Sequence, residues 1–336
     1  MWKKLIVGSA LGALLLTPAS SKTVAAAETQ YLRIATLAPR DSDLAQNFTK
    51  LDRGLRAATH DAWGVRLYPS GVAGDEADVI RKMKVGQMDA SVITSIGLSQ
   101  IVREVDVLNA PGLINDYKQL EAVQAALTPE WEKSFDKAGF KLLSWGETGQ
   151  YRWFSKDAIK KPSDIKTMRP WVWPASHVQK ELFHVIGATG VPLGVPEVYG
   201  ALQTGMVDMV INTAVAMVSL QWHSTLKHVS AKPIGGVLVG AMLMNSAKWN
   251  AIPADAQQHV LAELNKNRES DIHDVRAADE RSYQTLLKRG YAADAWSPEA
   301  EKEFQTVAET VRRRLVGRVY SPDLLARAMK VAAAAK

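Results

Sequence analysis

Hydrophobic and polar positions alternate in several short stretches of the chain. Side chains of a strand point alternately to its two faces, so a period of two residues predicts strands. Such strands are predicted at residues 31–36, 65–68, 90–94, 141–145, 152–155, 168–173, 209–212 and 236–244. Apolar residues three and four positions apart predict helices at residues 43–59 and 77–85. Strands separated by helical stretches indicate an α/β chain with mostly parallel sheets.

The C-terminal third of the chain has a different pattern. Residues 254–289 contain no Gly or Pro, and their apolar residues recur at helical spacing. Pro253 and Gly290 are suitable start and stop signals. One continuous helix here would be roughly 54 Å long, which exceeds the width of one domain and predicts a helix running along two lobes. Two helices with a break near residues 265–271 are the alternative.

Residues 1–27 have the pattern of an export signal. Lys3 and Lys4 precede an apolar run at residues 5–16, and small residues at 25–27 suit a cleavage site. The run is too short for a relaxed membrane span of ~20 residues, although an uncleaved anchor is the alternative interpretation. The chain has no Cys, which excludes disulfides, thiolate nucleophiles and a lipid-modified N-terminal Cys. We therefore expect an exported protein, soluble in the periplasm and not a lipoprotein.

Composition and charge narrow the class of protein. The 336 residues suit two domains, and 47% hydrophobic with 23% charged residues is typical of soluble globular proteins. The formal net charge of +6 falls to +3 once the leader, with Lys3, Lys4 and Lys22, is removed. That charge is too small to indicate a nucleic-acid partner.

Motifs of catalysis are absent from the sequence. There is no Gly-x-Ser-x-Gly elbow, Walker loop, dinucleotide glycine motif or His-Glu-x-x-His pair. His223 and His228 are five residues apart and would lie on different helix faces, which argues against a metal site. Asp75 and Glu76 follow a Gly turn and are interpreted as acids at a helix N-terminus. The pattern favours a binding protein over an enzyme, with no cofactor and no metal.

Aromatic residues concentrate in the middle of the chain. Five tryptophans, together with Tyr151, lie within 78 residues there: Trp145, Trp153, Trp171, Trp173 and Trp222. In the predicted strand, Trp171 and Trp173 share one face. They either pack in a core beneath a helix or line a cleft at the strand ends, where open α/β folds bind ligands. Both interpretations remain open from the residues alone.

Five segments resemble one known family. Residues 65–76, 84–89, 162–166, 187–193 and 197–208 are similar to segments of the substrate-binding subunits of tripartite ATP-independent periplasmic (TRAP) transporters, DctP type. The resemblance extends from Tyr31 to the C-terminus. It implies a two-lobed periplasmic solute-binding fold, a long helix spanning both lobes, hinge closure on a small-molecule ligand, and delivery to integral-membrane TRAP permease subunits.

The resemblance also implies a division into lobes. After the signal at 1–27, lobe I comprises residues 28–149 plus about 237–276. Lobe II comprises residues 150–236 plus about 277–336, which include the C-terminal helices.

The resemblance implies an atypical ligand site. Typical members hold the ligand's carboxylate with two arginines, and a count without gaps places Trp171 and Tyr151 at those two positions. Arg169 would share the face of Trp171, whereas Arg152 would reach the cleft only if the register were displaced by one residue.

An aromatic pocket implies an apolar or ring-containing ligand rather than a small acid. Asn212 matches the family's asparagine, and further lining residues are expected at Trp173, Thr36, Thr94, Ser95, Val195 and Trp222, the last equally consistent with helix packing. Two alternatives remain: the same fold binding an ordinary organic acid through Arg169, and a sensor or scaffold that binds a protein partner.

Overall fold

A computed structural model describes residues 28–266 and 268–335. The proposed export signal at 1–27 lies outside the described residues. The strands are β1 (Gln30–Ala35), β2 (Trp63–Tyr68), β3 (Ala90–Thr94), β4 (Phe140–Gln150), β5 (Arg152–Ser155), β6 (Trp171–Val172), β7 (Val191–Pro192), β8 (Met209–Asn212), β9 (His228–Ser230), β10 (Val237–Asn245) and β11 (Ala292–Asp294).

Helices separate most of these strands. They are α1 (Asp43–Ala58), α2 (Glu76–Lys84), α3 (Ser95–Leu98), α4 (Tyr117–Lys137), α5 (His177–Ile186), α6 (Val195–Gln203), α7 (Ala214–Ser219), α8 (Ser246–Ala251), α9 (Ala254–Lys266), α10 (Arg268–Lys288), α11 (Pro298–Leu315) and α12 (Pro322–Ala334). Short 3₁₀ turns occur at Arg103–Asn109, Pro162–Thr167 and Trp222–Ser224. Within the described residues, no helix is long and apolar enough to span a membrane.

Two sheets form the centres of two lobes. The sheet of lobe I has the strand order β2-β1-β3-β10-β4, and that of lobe II the order β11-β9-β5-β8. In lobe I, β10 runs against the other four strands. In lobe II, β5 runs against the other three. The reversed strands are those that carry the chain between lobes, since β5 follows β4 and β10 follows β9. The prediction of a two-lobed α/β fold with mostly parallel sheets is confirmed.

One predicted strand is shorter than the alternation suggested. Only Trp171–Val172 of the predicted 168–173 forms a strand, paired in parallel with β7. Pro170 precedes it and makes an isolated bridge with Met209 of β8. Proline has no backbone N–H to donate, so the ladder cannot continue through this position.

The helical segment of the C-terminal third contacts both lobes. Helix α9 packs on α1 of lobe I, and α10 packs on β4 and on α7, which follows β8 of lobe II. Gly290, in the left-handed region with a φ of 92°, ends the segment. Asn267, between the two helices, lies outside the described residues, so the choice between one helix and two stays open.

The backbone crossing from lobe I to lobe II is fixed by a buried carboxylate. The N–H groups of Gln150, at the crossing, and Val215, in α7, donate to the two Asp279 oxygens, each at 3.0 Å. The side chain extends from α10 and is buried. A Cβ at Gly149 would lie 2.4 Å from the Asp279 Cγ, which explains the glycine. Asp279 thus attaches α10 to both lobes.

Replacing Asp279 with Asn should lower the free energy of unfolding by roughly 1.5–3 kcal/mol, the usual contribution of hydrogen bonds to a charged group. The amide keeps one acceptor oxygen and leaves one of the two N–H groups without its partner. Urea unfolding followed by circular dichroism measures the change. Asp274→Asn, on the same helix but 72% exposed, is the matched control and should change little. Equal stability of the two variants would contradict this role of Asp279.

Candidate binding cleft

Three tryptophans of lobe II form one cluster. The ring centroids of Trp171 and Trp173 are 5.7 Å apart, and Trp222 meets Trp171 edge-on at 5.2 Å. All three are buried. Val172 packs in a different hydrophobic cluster. The prediction that Trp171 and Trp173 share one face is therefore confirmed. Leu37 and Ile96 of lobe I pack against the same cluster, so it lies between the lobes.

Each indole N–H of the strand has a definite partner. Trp171 Nε1 donates to the Leu193 carbonyl at 2.8 Å, within lobe II. Trp173 Nε1 donates to Asp75 Oδ2 at 2.7 Å. Asp75 precedes α2 of lobe I, so this second hydrogen bond crosses the cleft.

The wall of lobe I is built around Glu76. The Thr94 N–H donates to Glu76 Oε1 at 2.7 Å, and the Thr94 hydroxyl lies 2.8 Å from Oε2. A Cβ at Gly97 would lie 2.2 Å from Oε2, so α3 approaches the carboxyl closely. Burial raises the pKa of Glu76 to about 8, against the lowering effect of its hydrogen bonds to Thr94. At neutral pH this side chain holds a proton.

Tyr151 faces a buried polar network of lobe I. Its hydroxyl donates to Asn109 Oδ1 at 3.3 Å, and Ser95 Oγ donates to the same oxygen at 2.9 Å. Asn109 Nδ2 donates in turn to Asp106 at 2.8 Å. Burial raises the pKa of Asp106 to about 7. Tyr151 and Ser95 are thus placed together, apart from the tryptophan cluster.

Arg152 and Asn212 are direct neighbours across β5 and β8. Both are buried. Arg152 Nη1 donates to the carbonyls of Ser230 and Ala231, each at 2.9 Å, and its guanidinium lies 3.8 Å from the centre of the Tyr283 ring. Desolvation lowers the pKa of Arg152. The strand register therefore places Arg152, rather than Tyr151, beside Asn212.

Arg169 does not join the tryptophans. Its guanidinium forms an ion pair with Asp208 at 2.8 Å and is 58% exposed. Its backbone N–H donates to the same carboxylate. The expectation that Arg169 shares the face of Trp171 is wrong, because Pro170 interrupts the strand on which that alternation depended.

The lobes are closed on each other in this structure. Thr36, Gly74, Glu76 and Ser91 are among the residues around a cavity of about 10 Å³, which has room for one water at most. Val195 begins α6 on the opposite side and packs with the tryptophans. All the residues that line the cavity belong to lobe I. Among the described residues, no group of three His, Asp or Glu side chains is placed to hold a metal.

Sequence reasoning missed the contribution of Asp75 and Glu76. Both do lie at the N-terminus of α2, as predicted. Their positions in the cleft depend on Thr94 and Trp173, which are distant in sequence. An adjacent pair of acids directly after a Gly turn was the only signal available.

A family model described as "Bacterial extracellular solute-binding protein, family 7", DctP, matches residues 34–317. A solute-binding protein of Verminephrobacter eiseniae is 27% identical over 303 residues, covering 85% of this chain and 89% of that protein. The C4-dicarboxylate-binding periplasmic protein DctP of Rhodobacter capsulatus is 24% identical over 260 residues, covering 76% and 77%.

Solved structures share the same fold. A TRAP periplasmic solute-binding protein of Shewanella oneidensis with bound succinate has a TM-score of 0.83 at 18% identity, covering 90% of this chain and 99% of that one. The Bordetella pertussis receptor DctP7, which binds pyroglutamic acid, has a TM-score of 0.81 at 19% identity, covering 90% and 100%. At this level of identity the likeness shows the fold alone.

The raised pKa of Glu76 predicts a dependence of stability on pH. Between the ordinary pKa of 4.5 and about 8, the folded protein holds a proton that the unfolded chain releases, so stability falls as pH rises through this range. Glu76→Gln keeps the hydrogen-bonding shape and cannot ionise. As the pH rises through this range, the unfolding free energy of the wild type should therefore fall relative to that of Glu76→Gln, by at most about 1.4 kcal/mol per pH unit.

Urea midpoints at pH 5, 6.5 and 8 measure this shift. Glu132→Gln, on the exposed side of α4, is the control and should follow the wild type. Parallel curves for wild type and Glu76→Gln would show that the Glu76 carboxyl ionises normally.

Proposed function

The chain belongs to the DctP family of bacterial extracellular solute-binding proteins, and we propose that it is the periplasmic receptor of a TRAP-type transporter. The family is one of binding proteins rather than enzymes. In this proposal, the receptor captures a small molecule between its lobes and delivers it to integral-membrane permease subunits. The description of the Rhodobacter capsulatus relative as a periplasmic protein supports this location.

The proposed mechanism is hinge closure. The lobes rotate about the crossing held by Asp279, and the hydrogen bond from Trp173 to Asp75 forms only when they meet. The closed form then docks on the permease. The direct contact between the lobes supports this cycle, because Trp173 of lobe II donates to Asp75 of lobe I and the tryptophan cluster packs against Leu37 and Ile96.

We propose that the ligand is apolar or ring-containing. The observation that carries this proposal is the cluster of Trp171, Trp173 and Trp222 at the contact between the lobes. Flat aromatic side chains offer a large apolar surface that suits a ring stacked or packed against them.

A second candidate is an organic acid held by Arg152. Its position beside Asn212 at the start of β5 favours this, because both side chains can donate to a carboxylate. Solved structures of similar fold contain bound succinate and galacturonate. The earlier alternative, an acid held by Arg169, would require the ion pair with Asp208 to break.

Ring-containing compounds should change the tryptophan fluorescence of the protein, and succinate should not. Trp171→Ala should weaken binding of a responding compound at least tenfold, since it removes the centre of the aromatic cluster. Trp171→Phe retains a ring and should lose less. Trp249→Phe, in a separate hydrophobic cluster of lobe I, is the control. A response to succinate alone would refute the aromatic-pocket proposal and favour the organic acid.

Arg169→Gln should leave the affinity for any responding compound unchanged, because the side chain is on the outer surface with Asp208. If Arg169 instead held a ligand carboxylate, the variant would lose about 1.5–3 kcal/mol of binding free energy. Titration calorimetry with the wild type and the variant distinguishes the two cases.

A further inference from the structure

Asp75 brings a carboxylate of lobe I against the aromatic wall of lobe II. Its Oδ2 accepts the indole N–H of Trp173. Its Oδ1 is buried and has no hydrogen-bond partner. The carboxylate therefore lies against Trp173 with one oxygen that makes no hydrogen bond.

No Lys, Arg or His side chain within residues 28–266 and 268–335 forms an ion pair with Asp75. Arg169 is paired with Asp208, and Arg152 is directed to two carbonyls and the Tyr283 ring. Burial raises the pKa of Asp75, the hydrogen bond from Trp173 and the nearby backbone N–H groups of Glu76 and Val195 lower it, and the charge of Glu197 raises it further. Glu76 holds a proton at neutral pH and adds no charge. Asp75 is half-buried, and taking a carboxylate partly out of water without a cation costs free energy unless something supplies the charge.

Resting on the proposed function, we propose that the ligand carries a protonated nitrogen, an ammonium or amidinium group on a ring-shaped or apolar body, and that Asp75 receives this group. The nitrogen would donate to Oδ1 while the neighbouring indole faces attract its positive charge. Asp75 is thus the residue that determines specificity for charge.

This arrangement also selects against anions. A ligand carboxylate at the same place would meet Asp75 as a like charge in a half-buried site, where repulsion is stronger than in open water. When the lobes part, the contact between Trp173 and Asp75 breaks, and both the carboxylate and the indole rings become accessible to the incoming cation.

A series of three compounds with the same ring tests the proposal: 2-phenylethylammonium, 2-phenylethanol and 3-phenylpropionate. Binding is measured at pH 7 by tryptophan fluorescence and titration calorimetry. The ammonium compound should bind at least tenfold more tightly than the alcohol, and the carboxylate most weakly. Asp75→Asn should reduce the ratio of ammonium to alcohol affinity to near one. Asp78→Asn, with the same charge change one turn further on α2, should preserve the ratio, because Asp78 is paired with Arg81 at the surface.

The outcomes separate this inference from the receptor function. The inference is overturned if the ammonium compound binds no more tightly than the alcohol, or if Asp75→Asn leaves the ratio of ammonium to alcohol affinity unchanged. In either case, binding of the alcohol would still support the aromatic pocket. Tightest binding of 3-phenylpropionate overturns it in favour of the organic acid. If none of the three compounds binds, both this inference and the ring-ligand proposal fail. Thermal unfolding checks that Asp75→Asn folds, and Asp75→Ser, which keeps a residue favourable at a helix N-cap, serves if it does not.

Discussion

In the proposed hinge closure, the two lobes move about one buried carboxylate at the place where the chain crosses between them. Asp279 accepts the N–H groups of Gln150 and Val215, and Gly149 gives it room. Arg276, one turn earlier on α10, adds an ion pair with Glu147 at 2.6 Å. Helix α10 is therefore fastened to β4 and to α7 together. The proposed rotation of the lobes would pivot at this point, since these buried bonds would be expensive to lose.

Closure imposes a second constraint, because it removes water from every polar group between the lobes. The structure meets it in three ways. Glu76 holds a proton, Arg152 donates to carbonyls and lies on an aromatic ring, and Asp75 accepts an indole N–H across the cleft. The first two groups are satisfied within one lobe. The Asp75 contact, in contrast, requires both lobes, so polar satisfaction of this carboxylate is linked to the contact between them.

Local sequence patterns predicted the bounds of several strands, but they did not predict which side chains face the cleft. The strands at 90–94, 152–155 and 209–212 have the predicted bounds, since alternation over four or five residues is a local property. The alternation that placed Arg169 on the face of Trp171 is interrupted at Pro170. The gapless count that placed Tyr151 at a ligand-binding position runs through the crossing between the lobes, which follows two register shifts between β4 and β10. An irregularity of the backbone changes which side chains face inward, and the periodicity of the sequence does not show where such an irregularity occurs.

The tryptophans show why core and cleft could not be distinguished from the sequence. Trp171, Trp173 and Trp222 are as buried as core residues while the lobes are closed, yet part of what buries them belongs to the other lobe. Opening would expose apolar surface, at a cost on the order of 1.5–3 kcal/mol for each large side chain that becomes fully exposed. A ligand that holds the lobes together has to replace the contacts it displaces. A flat apolar body with one polar group directed to Asp75 would do so with the fewest unsatisfied atoms, so in the proposed cycle the residues that close the cleft also define the chemistry of its ligand.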